Sequence, residues 1–233
     1  RSAEDLIAML LAECAAGGVA HWQPCGVRKV VFSAASAYGA DHGSYQIDTD
    51  RGPVAARSLV VATGGLSIPK IGATDFGYRL AQQFGIALVE RRPGLVPLTF
   101  DGEAWAPWAQ LAGLALPVRI STGSKKTHMA FDEDLLFTHR GLSGPAVLQI
   151  SSYWQEGAPL AINLAPGTDL EAALAQAKAR SRKRIANELG QIVPSRLADA
   201  WAAREADWQR PIAEASDKAL ARLAGQMARW ELT

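Results

Sequence analysis

The chain has 233 residues, 48% of them apolar and 20% charged, with 24 basic residues against 23 acidic ones for a net charge of +1. That length builds one or two domains with a real core, and high apolar content with little net charge excludes a disordered protein. No run of about 18 apolar residues occurs, so no membrane span is expected, and the charge balance gives no global case for nucleic acid.

Ser2-Ala3-Glu4-Asp5 starts a helix, with Ser2 as cap and Leu6, Ile7, Leu10, Leu11 and Cys14 as its stripe, and Gly17-Gly18 ends it. Strands are expected over 19–22, 26–33, 44–49 and 54–62. The last closes on Leu59-Val60-Val61-Ala62, a continuous apolar run that suits burial on both faces. Thr74 or Asp75 caps a second helix through Phe76, Leu80 and Phe84, and 86–89 is a further strand. Between 98 and 165, short apolar segments alternate with Gly, Pro, Asp and Asn. Strands at 116–121, 128–131, 135–138 and 160–164 predict a mainly antiparallel β unit, with a short helix after Gly144-Pro145. From Asp169 onward the pattern is helical, with helices through Leu170 and Leu174, Ile185 to Ile192, Leu197 to Trp201, and 219–230.

Cys14 and Cys25 are the two cysteines, which makes neither a disulfide framework nor a zinc site and fits reduced thiols in the cytoplasm. His21, His42 and His128 have no ligand spacing, so no metal is expected. The sequence opens Arg1-Ser2 without Met, and Glu4, Asp5 and Glu13 interrupt any signal-like stretch. It reads as an excised piece of a longer protein.

Three features stand out chemically. Val60-Val61-Ala62-Thr63-Gly64-Gly65 runs a strand into glycines, where a backbone without Cβ admits a flat or phosphorylated ligand; a plain strand-to-turn junction explains it equally. Phe137-Thr138-His139-Arg140-Gly141-Leu142-Ser143-Gly144-Pro145 sets His139 and Arg140 in a glycine-rich turn before a helix, either a structural turn with a hydrogen-bonded His or a site where His139 exchanges a proton and Arg140 holds an anion. Ser143 lacks the Gly-x-Ser-x-Gly context of a hydrolase nucleophile. Lys178, Arg180, Arg182, Lys183 and Arg184 form a basic cluster able to touch phosphates or to solvate a helix face.

The strings Ala62-Thr63-Gly64-Gly65-Leu66-Ser67-Ile68-Pro69, Gly72-Ala73-Thr74-x-x-Gly77-Tyr78, Leu95-Val96-Pro97-Leu98 and Leu136 to Gln149 resemble, in order and spacing, the BaiN and aminoacetone oxidase family of bacterial FAD-dependent flavoproteins. The resemblance covers essentially the whole chain. It implies an α/β fold with an α+β insertion: a partial Rossmann-like FAD-domain layer (1–94), a β-barrel-like domain (95–165), a small helical region (166–215) and a return toward the FAD domain (216–233). It also implies that the two principal FAD-binding segments lie before Arg1 and after Thr233, so this piece alone is expected to bind FAD weakly or not at all and to be inactive. Carried over, Val27, Ala62, Thr63, Gly64 and Gly65 match cofactor-binding positions, and the 138–144 loop matches a segment lining the flavin or substrate cavity, in which the chemistry of His139 and Arg140 makes them the expected catalytic pair. The implied activity is an oxidoreductase with a small-molecule substrate and a nicotinamide nucleotide or oxygen as redox partner, away from membranes and nucleic acid. The alternative is an RNA-binding or RNA-modification accessory domain that uses the basic segment at 178–184.

Overall fold

A computed structural model describes residues 2–34, 43–124 and 126–232. His42, named above, lies outside them. The chain is a mixed α/β protein with antiparallel sheets, and its contacts divide it into two units, Arg1–Glu90 and Arg91–Thr233. No helix among the described residues is long and apolar enough to cross a membrane.

The first unit begins with α1 (Ala3–Ala16). Its start is the expected reciprocal cap: Asp5 N–H donates to Ser2 Oγ at 3.2 Å, and Ser2 N–H donates to the Asp5 carboxylate at 2.9 Å. A meander follows, β1 (Val27–Ser33), β2 (Ser44–Thr49) and β3 (Gly52–Ala56), in the order β1-β2-β3. Phe32 and Tyr45 meet edge-on at 5.1 Å, and Tyr45 meets Phe84 at 5.9 Å. Helix α2 (Phe76–Gln83) is thereby held to the sheet, and the Gln83 amide donates to the Val30 carbonyl at 2.7 Å.

Two expectations fail in this unit. The segments 19–22 and 86–89 form no strand. Leu59-Val60-Val61-Ala62 is not a buried strand either: β3 stops at Ala56, and Val60 is 85% exposed. A strand buried on both faces needs ladder partners on both sides. Among the described residues none pairs with this run, so its apolar composition alone does not make it a strand.

The second unit is built on a six-stranded sheet in the order β4-β7-β6-β5-β8-β9. The strands are β4 (Leu98–Thr99), β5 (Ala115–Thr122), β6 (Met129–Thr138), β7 (Gly141–Ser143), β8 (Leu160–Asn163) and β9 (Trp230–Leu232). Strand β5 alternates strictly, burying Leu116, Val118, Ile120 and Thr122 while Pro117 and Arg119 face out. The expected strands at 128–131 and 135–138 are one strand, because the exposed Asp132-Glu133-Asp134 pairs with β5 rather than breaking the ladder.

Helix α3 (Gly102–Ala109) was not foreseen, since Pro107 sits inside it; Asp101 caps it by accepting from Glu103 N–H at 2.9 Å. Helices α4 (Pro145–Ser151), α5 (Leu170–Arg180), α6 (Ile185–Leu189), α7 (Ser195–Ala202) and α8 (Asp217–Ala228) complete the unit. Pro145 opens α4, and Asp169 caps α5 by accepting from Ala172 N–H at 3.0 Å. Residues 216–233 fall in this second unit. Trp230 leaves α8 for a strand paired with β8 and packs within 4.8 Å of Trp108 and 5.6 Å of Trp201. That aromatic cluster, with Trp105 and Phe137 stacked at its edge, is the centre of the core.

Candidate functional site

Thr138-His139-Arg140-Gly141 is a two-residue hairpin between β6 and β7. Its frame is built from polar groups turned inward. The Thr138 hydroxyl donates to the Gly141 carbonyl at 2.9 Å, the Trp105 indole N–H donates to the Thr138 carbonyl at 3.0 Å, and Phe100 N–H donates to the Arg140 carbonyl at 3.1 Å. With the backbone thus held by α3 and β4, His139 and Arg140 stand exposed at the tip. Neither side chain makes a hydrogen bond or ion pair among the described residues. The structure therefore brings the expected pair together on a fixed turn, open to solvent.

The expected cofactor residues are less well assembled. Val27 is in the ladder opposite Thr49, whereas Ala62, Thr63, Gly64 and Gly65 are exposed and run past the first turn of α2. A Cβ on Gly77 would lie 3.3 Å from both Val61 Cγ1 and Thr63 Oγ1, so this glycine lets the segment and the helix approach. Gly64 has φ +73° and open space where a Cβ would be. A dinucleotide pyrophosphate is gripped by backbone N–H groups at a helix N-terminus that follows a strand. Here the glycines lead into a short 3-10 turn at Pro69–Ile71, and α2 starts behind the acidic Asp75. These residues do not by themselves fit FAD.

The basic cluster is divided rather than spread on one helix. Lys178 and Arg180 lie in the last turn of α5, and Lys178 pairs with Asp217 at 2.6 Å. Arg182, Lys183 and Arg184 lie in the extended link to α6. That link is rigidly stitched: Ser181 Oγ donates to the Glu188 carboxylate at 2.6 Å and accepts from Lys183 N–H at 3.1 Å. Ile212 N–H donates to the Lys183 carbonyl at 2.9 Å, and Ile185 N–H donates to the Arg210 carbonyl at 3.2 Å. Arg180, Arg182, Lys183 and Arg184 are exposed and make no side-chain ion pair among the described residues. Four unneutralised cations on a fixed backbone suit a polyanion.

Other cations are already engaged. Arg119 pairs with Asp132 at 2.6 Å and Arg229 with Glu231 at 2.7 Å, around a depression of about 340 Å³ on the outer face of β5, β8 and β9. Arg204 lies 4.8 Å over the Trp201 ring and 5.4 Å over Trp108, and the loss of water around it lowers its pKa below the ordinary arginine value. Sequence reasoning missed this arginine. The three-residue spacing from Trp201 on a helical pattern is the signal that could have found it.

Residues 92–233 match the family described as "HI0933-like protein barrel and H2TH domain". The chain is 42% identical over 199 residues to "Ribosomal RNA dihydrouridine synthase" of Escherichia coli (strain K12), which covers 85% of this chain and 47% of that protein. It is 41% identical over 178 residues to the Haemophilus influenzae protein of the same name, covering 76% of this chain and 43% of that one. The chain thus spans a little under half the length of these curated relatives. The narrower likeness to BaiN and aminoacetone oxidase gives way to this family. The expectation of a small-molecule substrate, with nucleic acid set aside, is also corrected, because both relatives are named for action on ribosomal RNA. The physical reason lies in averaging. A net charge near zero is a property of the whole chain, while phosphate binding depends on local cations that no acid neutralises.

Proposed function

The chain belongs to the HI0933-like family, and on that premise we propose that it is part of a flavin-dependent enzyme that reduces uridine to dihydrouridine in ribosomal RNA. The observation that carries this reading is the 42% identity, over 85% of the chain, to a protein named for that activity. The free cations of Arg180 to Arg184 support it from the physical side. FAD remains the group that the sequence resemblance implies. Since the residues present do not enclose it, the contribution assigned to this chain is holding the RNA.

In this reading the link between α5 and α6 neutralises backbone phosphates, as arginine does well through its planar set of donors. The exposed hairpin tip meets the same RNA. Arg140 reaches a phosphate or carbonyl, and His139 is the acid–base group beside it. Dihydrouridine arises by adding two hydrogens across the uracil C5=C6 bond, so a proton source beside the base is part of the chemistry required. The cytoplasm, where ribosomal RNA is found, is the setting that follows.

The test is binding of the chain to a ribosomal RNA stem-loop across a salt series. Log affinity is expected to fall linearly with log salt, and the Arg182→Ala/Lys183→Ala variant is expected to flatten the slope by about 1 per cation removed. Binding that does not respond to salt, or an unchanged slope in the variant, overturns this assignment.

A further inference from the structure

Beside the basic link, a depression of about 290 Å³ opens between α6, α7 and the turn at Ala206–Trp208. Its floor is made of small side chains, with Ala202 and Ala203 of the α7 end next to the edge of buried Trp208. Its rim carries Arg184, Asn187, Asp199 and Gln209. None of these four makes a side-chain hydrogen bond or ion pair among the described residues. Two amides able both to donate and to accept, one carboxylate and one guanidinium therefore converge, unused, on one small concavity.

The walls are fixed. Trp208 is fully buried and its indole N–H donates to the Ala219 carbonyl at 3.3 Å, which anchors Gln209 next to it. Arg184 sits on the stitched link described above, and Ile185 and Leu189 bury α6 behind Asn187. The backbone that carries the rim residues is therefore held, and a fixed backbone reduces the freedom lost on binding.

We propose that this depression receives one unpaired nucleotide of the bound RNA, a refinement that rests on the RNA reading above. The volume suits a single base rather than a larger ligand. Side chains cannot read bases through the deep, narrow major groove of a paired A-form stem, whereas an unpaired base presents its whole edge. The Arg184 guanidinium meets the nucleotide's phosphate, and Asn187, Gln209 and Asp199 meet the base edge. Guanine is the favoured base, since its Watson–Crick edge offers two adjacent N–H donors to the Asp199 carboxylate.

The experiment compares two RNA hairpins that differ only by one bulged guanosine, by fluorescence anisotropy with the 233-residue chain at fixed salt. The bulged hairpin is expected to bind about 10-fold more tightly. Asn187→Ala/Gln209→Ala, both exposed positions, is expected to abolish that preference, whereas Arg182→Ala weakens both hairpins alike and keeps it. Equal affinity for the two hairpins, or a preference that survives the double variant, overturns the nucleotide pocket while salt-dependent binding leaves the RNA reading intact. Absence of salt-dependent binding to either hairpin overturns the RNA reading itself.

Discussion

A Cβ added to Gly141 would lie 2.1 Å from the Leu98 carbonyl oxygen, so the residue that follows Arg140 must be glycine for β4 to lie against β7. The contact is with backbone, which has no rotamer by which to yield. Gly141→Ala is expected to cost about 3 kcal/mol of stability in urea denaturation, the scale of an enforced backbone strain. A loss below about 1 kcal/mol would show that β4 slides away freely.

His139 is the opposite case. It stands exposed at the tip, so His139→Ala is expected to change stability by no more than about 0.5 kcal/mol, as for surface positions away from such contacts. In the full-length protein the same variant is expected to slow uridine reduction at least about tenfold, within reach of a lost acid–base group. Loss of several kcal/mol of stability, or an unaltered rate, would leave His139 as part of a turn and nothing more.

Asp50 carries the acid-sensitive bond of the first unit. The Gly26 backbone N–H donates to its carboxylate at 2.9 Å and Arg28 at 2.8 Å, and these two bonds lower its pKa below the ordinary 3.8. A lowered folded value means that the stabilising contribution is full above 3.8 and is lost as pH falls through the folded value. The Gly26 amide resonance is therefore expected to titrate with a midpoint below 3.8, and Asp50→Asn is expected to remove that titration. A midpoint at or above 3.8 contradicts the bonding described.

Arg204 closes the aromatic cluster from above. Its guanidinium lies over both Trp201 and Trp108 and donates to the Gln226 side chain at 3.4 Å. Arg204→Ala is expected to cost about 1 kcal/mol, the worth of a partly shielded cation over a ring, and to alter tryptophan fluorescence. Lysine at this position is expected to restore only part of the loss, because it lacks the planar stacking surface. Full rescue by lysine would assign the effect to charge alone.

Much of the second unit was legible because its signals are local. The Asp169 cap, the Pro145 helix start and the alternation of β5 are each set by a few neighbouring residues. The failures are the ones where distant partners decide. Leu59 to Ala62 has strand composition but no described ladder partner, and Trp230 reads as the end of a helical stripe yet enters β9 because β8 and the tryptophan cluster receive it. For the site, the turn showed itself through glycines around His139 and Arg140, whereas its being a hairpin between β6 and β7 depends on the pairing of Gly141–Ser143, which no local signal marked. The basic segment was visible as composition, but only the fold reveals that Lys178 is neutralised while Arg180 to Arg184 are not. Asn187 and Gln209 carried no signal at all, since two amides 22 residues apart become neighbours only when the turn at Ala206–Trp208 folds back.

Action on ribosomal RNA is the property that the proposed function assigns to the protein containing this chain. The most direct measurement is mass spectrometry of ribosomal RNA nucleosides from cells with and without the gene, followed by restoration of the gene. Dihydrouridine, uridine carrying two additional hydrogens, is expected to disappear from ribosomal RNA on deletion and to return on restoration, and a restored copy with Arg182→Ala/Lys183→Ala is expected to return less of it. Unchanged dihydrouridine in ribosomal RNA after deletion would show that the protein does not carry out this reduction.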